Sequence, residues 1–181
     1  MEAASEYLLE AIRDGSEFTL YRARQRGNDM PLLVVAPTAE RPLPQSLRRL
    51  EHEYSLAAEL DTSWAAKPIA LTRHEGRTIL VLADPGAEPL DCVLERDRLK
   101  QTKTQPPDVA RFLRLAIGMA TALGHVHQRG LIHKNVKPEN VLVALEPSDD
   151  ACHIWLTGFG IASRLPRERQ APAPPEMIAG T

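Results

Sequence analysis

The sequence predicts an α+β fold, rich in strands in its first half and built around one long helix in its second. Three observations carry this. An alternating segment and a continuous apolar run flank a turn-forming stretch near the start. A helical period of apolar residues runs from Asp108 towards Gly130. Two short apolar runs, separated by an acidic turn, follow it.

The first segment, "EFTLYRAR" at 17–24, alternates apolar and polar side chains and suits a half-buried strand. "PLLVVAP" at 31–37 is continuously apolar between prolines, so it reads as a more buried strand, and the intervening "QRGND" makes the two a hairpin. Residues 43–61 place Leu47, Leu50, Tyr54, Ala57 and Ala58 on a helical period. "RTILVLADPG" at 77–86 is another buried strand, closed by a proline and a glycine. Asp108 is a good N-cap for the long helix, whose stripe is Val109, Phe112, Leu113, Ala116, Ile117, Ala120, Leu123 and Val126; Gly130 sits where a C-terminal cap glycine belongs. "NVLVAL" and "HIWLTG" then read as two short strands joined by "EPSDD".

Composition excludes several classes. With 181 residues, 43% of them hydrophobic, the chain suits one domain with enough apolar surface for a core. A formal net charge of −2 argues against nucleic-acid binding by a basic surface. No run approaches the roughly eighteen consecutive apolar residues of a membrane-spanning helix. The acidic start, "MEAASEYLLEAIRDG", lacks the pattern of a secretory signal. Cys92 and Cys152 have no metal-ligand spacing and read as free thiols, which places the chain in the reducing cytoplasm. The 15 prolines mark boundaries and loops.

Two motifs carry a resemblance. "HKNVKPEN" at 133–140 is similar to the catalytic loop H-R-D-x-K-P-x-N, and "LTGFGIAS" at 156–163 is similar to the D-F-G segment, here Gly158-Phe159-Gly160. The spacing between them fits, and "IAGT" at 178–181 resembles the part of an activation segment just before the substrate loop. The chain thus resembles bacterial serine/threonine protein kinases. More narrowly, it is similar to the amino-terminal kinase-like domain of large signalling proteins that also carry an ATPase module and a sensor histidine kinase. The resemblance implies a small β-rich N-lobe over about 1–84 and a helical C-lobe over about 88–181, truncated in the activation segment. It also implies ATP and Mg²⁺ as cofactors and downstream signalling modules, in a longer chain or a partner protein, as partners.

Carried over position by position, the resemblance exposes losses. Asn135 stands at the base position, and an amide takes no proton at neutral pH; such help is typically worth about 10²–10⁴ in rate. Gly158 stands at a metal position and offers no side-chain oxygen, although Mg²⁺ wants hard oxygen ligands. Asn140, the other metal ligand, is retained, but one neutral amide is a weak magnesium site, and Thr157 is a poor substitute. The anchoring lysine is missing from 31–37, with Val35 or Ala36 in its place. Glu53 is the helix residue that would pair with it, and its expected state is a solvated helix-face glutamate. Of the glycine-rich phosphate loop only Gly15 is left, and Glu17 adds a negative charge nearby. If Leu82 is the gatekeeper, Pro85 falls where a backbone N–H would meet adenine, and proline has none. Arg22 and Arg24 read as exposed strand charges, with a phosphate contact from the neighbouring strand as the alternative.

Three residues match the loop. His133 is expected to be structural, bonding backbone near Gly158. Lys137 reads equally as a γ-phosphate contact or a loop-surface lysine. Asn140 completes the set. His125 and His127, two apart on a helix, do not face each other, so His127 reads as a helix-surface or partly buried residue and not a metal ligand.

The expected function is therefore that of a degenerate kinase domain, a regulatory or scaffold module with weak or no ATP binding. An active atypical serine/threonine kinase and a non-functional gene fragment are the alternatives. Because the chain stops at Thr181, the apolar stripe after Asp108 should be partly exposed, and the chain reads as an amino-terminal fragment of something longer.

Overall fold

The structure, a computed structural model, describes residues 7–25, 27–100, 108–145 and 152–165. The "EPSDD" turn and the "IAGT" segment lie outside the described residues.

The first part is a five-stranded antiparallel sheet. Strands β1 (Tyr7–Arg13), β2 (Phe18–Gln25), β3 (Asn28–Pro37), β4 (Pro68–His74) and β5 (Arg77–Ala83) are arranged in the order β1-β2-β3-β5-β4. Helix α1 (Pro44–Ser55) crosses between β3 and β4. Residues paired directly across an antiparallel ladder point to the same face. Leu20, Leu33, Leu80 and Leu82 therefore share one face, where they pack with Leu50 of α1. Ala23, Leu32, Val34, Ile79 and Val81 fill the other with Tyr7.

After the connection at 84–87 come β6 (Glu88–Pro89), α2 (Leu90–Lys100), α3 (Val109–Gln128) and β7 (Leu131–Ile132). A single 3-10 turn (Pro138–Asn140) leads into the hairpin of β8 (Val141–Leu145) and β9 (Cys152–Leu156), and β10 (Ser163–Arg164) pairs back on β7. The Asp108 carboxylate accepts a hydrogen bond from the Arg111 N–H at 2.9 Å, and Gly130 (φ 71°) donates its N–H to the His127 carbonyl at 2.8 Å, so both ends of α3 are capped as expected.

Several expectations change. The helix after Leu43 stops at Ser55, and its buried face is Ser46, Leu50 and Glu53, while Tyr54 and Ala58 are exposed. Position 53 is drawn inward by backbone amides that its carboxylate satisfies, as described below. In α3 the face on the core is Leu115, Met119, Ala122 and Val126. The broader stripe of Val109, Phe112, Leu113 and Ile117 faces outwards, each residue more than half exposed, so the stripe is partly exposed as expected. This helix is long and apolar enough to cross a membrane, but it carries Arg111 and Arg114, and its inner face packs on β9 and β7. Strands β1 and β4 and helix α2 were not predicted. Leu8 and Ile69 point to solvent beside inward neighbours, so their strands lack clean alternation.

Candidate functional site

A cavity of about 140 Å³ opens between the two parts. It is lined by Gly15 and Glu17 from the β1–β2 turn, Val35 from β3, Arg49 and Glu53 from α1, Asn135, Lys137 and Asn140 from the loop after β7, and Thr157 and Gly158 after β9. Six predicted site residues (Gly15, Glu53, Asn135, Lys137, Asn140 and Gly158) thus meet at one place. His133 lies behind it and Leu82 does not reach it.

The loop after β7 is built around His133. Its ring is buried, and its Nδ1 accepts from the Asn135 N–H at 3.2 Å. Nε2 must then carry the proton, which it donates to the Thr157 carbonyl at 2.9 Å. Burial holds the imidazole pKa below its ordinary value, so the ring stays neutral. His133 also packs on the fully buried Phe159, with ring centroids 4.4 Å apart. This is the backbone tie expected of it.

Glu53 is the largest correction. The side chain is 4% exposed, not solvated, and its Oε1 accepts the Gly158 N–H at 2.9 Å. Burial raises its pKa from 4.5 to about 7, while hydrogen bonds from the backbone of Phe159, Gly158 and Gly160 pull the other way. The carboxylate therefore caps the amides of the Gly-Phe-Gly segment, and the apolar Val35 lines the same cavity. Gly160 lets this happen. A side chain there would meet the Cβ of Arg49 at 2.8 Å and its carbonyl at 2.9 Å, so α1 lies directly against that backbone.

The metal position is closed as well as bare. Gly158 has φ +77°, and a Cβ on it would lie 2.6–2.8 Å from the Asn140 amide group. The Asn140 Nδ2 donates to the Asn135 carbonyl at 2.8 Å. Among the described residues no group of three His, Cys, Asp or Glu side chains is placed to hold a metal. Gly158 supplies no side-chain oxygen, and the Asn140 hydrogen bond to the backbone uses its nitrogen and leaves Oδ1 as the hard ligand of this pair.

The charges at the cavity neutralise one another. Glu17, expected to repel phosphates, pairs with Arg49 and accepts from the Ser46 hydroxyl at 2.9 Å. Lys137 pairs with Glu139, which also lies 3.8 Å from Arg13. Arg13, Arg49 and Glu139 were missed from sequence, although Arg49 stands four residues before Glu53 on the same helix face. Arg22 is a further correction. It is no free strand charge, because its Nε donates to Asp84 at 2.8 Å and its Nη2 to the Ala87 carbonyl at 2.9 Å. Arg24 is exposed, as expected, and so is His127. His125 instead stacks on Trp64.

Comparison with known proteins agrees with this geometry. Residues 15–176 match the family model described as protein tyrosine and serine/threonine kinase, and the chain belongs to that family. It is 28% identical over 163 residues to a protein kinase and PP2C-like domain-containing protein of Oryza sativa subsp. japonica, covering 86% of this chain and 22% of that protein. It is 25% identical over 124 residues to the serine/threonine-protein kinase WARTS homolog of Caenorhabditis elegans, covering 68% of this chain and 12% of the other. A shorter stretch of 72 residues is 40% identical to the serine/threonine-protein kinase PknI of Mycobacterium tuberculosis, covering 40% of this chain and 11% of that one. The chain therefore spans about a fifth or less of the length of these relatives.

Proposed function

We propose that this chain is a degenerate kinase domain, a pseudokinase, which serves signalling as a regulatory or scaffold module and transfers no phosphate. The observation that carries the reading is the occupation of Glu53. Phosphoryl transfer depends on a lysine–glutamate pair, on metal ions and on a base, all in place together. Here Glu53 is bound to the Gly158 amide, Val35 replaces the cation, and Asn135 replaces the base. Each such loss removes roughly two or more decades of rate, and the parts act as a unit. The partners on this reading are cytoplasmic signalling modules, in a longer chain or a separate protein, held by the surface of the fold.

A second reading, an active atypical serine/threonine kinase, draws on Lys137 and Asn140, which are retained and line the cavity. One assay separates them. The full chain is incubated with labelled ATP, Mg²⁺ and a generic protein substrate. No transfer above background is expected, whereas transfer that disappears in Lys137→Ala would overturn the proposal.

A further inference from the structure

We infer, building on the regulatory reading above, that the base end of this cleft is filled by the chain's own side chains, which hold the two parts of the fold closed with no nucleotide between them. The cavity reaches from the Gly15 turn to the loop after β7, and none of residues 82–87 lines it. Level with the connection at 84–87, Arg22, Leu33 and Leu82 lie side by side across β2, β3 and β5 and share the face turned towards α1. Leu142 joins them from β8, the strand that pairs with β6 just after the connection. Leu33, Leu82 and Leu142 are each 0% exposed and belong to one packed cluster with Leu50 and Ala87. An apolar core thus runs from one part to the other where a flat base would need a slot, and well-packed cores have no voids of that size.

Polar groups of the connection that could read a base edge are engaged or missing as well. Pro85 has no N–H. The Gly86 N–H donates to Asp84 Oδ1 at 2.7 Å, and the Ala87 carbonyl accepts from Arg22. The Asp84 side chain is 1% exposed and paired with Arg22, which straps β2 to the connection. Leucine side chains and one arginine therefore replace both the stacking surface and the hydrogen bonds of a base, and the closed arrangement is a property of the chain alone.

Thermal melts of the full chain with adenosine, and separately with ATP and Mg²⁺, test this beside Leu33→Ala, with Leu33→Val in its place should the alanine variant not fold. Neither ligand is expected to move the wild-type melt. The opened variant is expected to melt lower and to regain part of the loss, saturably, with adenosine. A saturable rise for the wild type would overturn the inference, and so would a folded opened variant indifferent to adenosine. Phosphate transfer measured in the same samples keeps the two readings apart. Wild-type binding without transfer removes the filled cleft and leaves the regulatory role, whereas transfer removes both.

Discussion

At the base end of the cleft Leu33, Leu82 and Leu142 are fully buried in one cluster, whereas at the loop end Lys137 and Glu139 stand almost half exposed and paired with each other. Both ends lie in one cleft, yet they are stabilised by different physics. The base end draws on apolar burial, roughly 25 cal/mol per Å², and on close packing. The loop end draws on ion pairs in water, each worth about 0–1 kcal/mol. On the reading proposed above, a site relieved of its ligand has become core at one end and a set of self-neutralised charges at the other.

Leu142 offers the most visible way to break this comparison. Leu142→Ala should cost about 2–5 kcal/mol in urea unfolding, because the cavity left behind cannot collapse fully. A loss below about 1 kcal/mol would mean that the base end is loosely packed.

The pH dependence at Glu53 sharpens the boundary between the two ends. Its pKa is raised to about 7 in the fold, so the folded state binds the proton more tightly than the unfolded chain does. The resulting stability is complete below the ordinary carboxylate range and is lost as pH rises through about 7, on the order of 3 kcal/mol across the window. Arg49, four residues away, is paired with Glu17. Buried neutral His133 works in the opposite sense, with stability lost as pH falls below its unfolded pKa, but that contribution is common to wild type and variant. Glu53→Gln keeps an oxygen for the Gly158 amide and removes the titration. The difference in melting temperature, wild type minus variant, should therefore fall from about pH 5 to about pH 8. A difference that stays flat would make Glu53 an ordinary solvated carboxylate.

The smallest effect belongs to the loop end. Lys137→Ala should change stability by no more than about 0.5 kcal/mol, because the pair with Glu139 is exposed. A larger loss in the same urea titration would show that the loop end is a structural clamp and would erase the contrast with Leu142.

Much of the site was legible in the sequence because its motifs are local. The run from His133 to Asn140 closes on itself through hydrogen bonds such as Asn135 N–H to His133 and Asn140 Nδ2 to the Asn135 carbonyl, so residue identities a few positions apart imply the geometry. Asp108 and Gly130 announced the ends of α3 for the same reason. Less was legible where apolar residues fall on both faces of an element. Strands β1 and β4 expose Leu8 and Ile69, and α2 scatters its charges among Leu90, Val93 and Leu94, which leaves no clean period to read.

By itself the sequence determined the kinase-like α+β resemblance and that Asn135, Gly158 and Val35 or Ala36 stand where that resemblance places a base, a metal carboxylate and a lysine, since those are statements about which atoms a position carries. Only the tertiary structure decided what fills the gaps. Glu53 turned inward because backbone amides of the Gly-Phe-Gly segment, brought against α1 by the absence of a side chain at Gly160, offered it partners. Arg22 found Asp84 sixty-two residues away, and Leu33 found Leu142 across the cleft, because sheet register and the connection at 84–87 set them there. Such contacts depend on which faces meet in space, and no local pattern of side chains encodes that meeting.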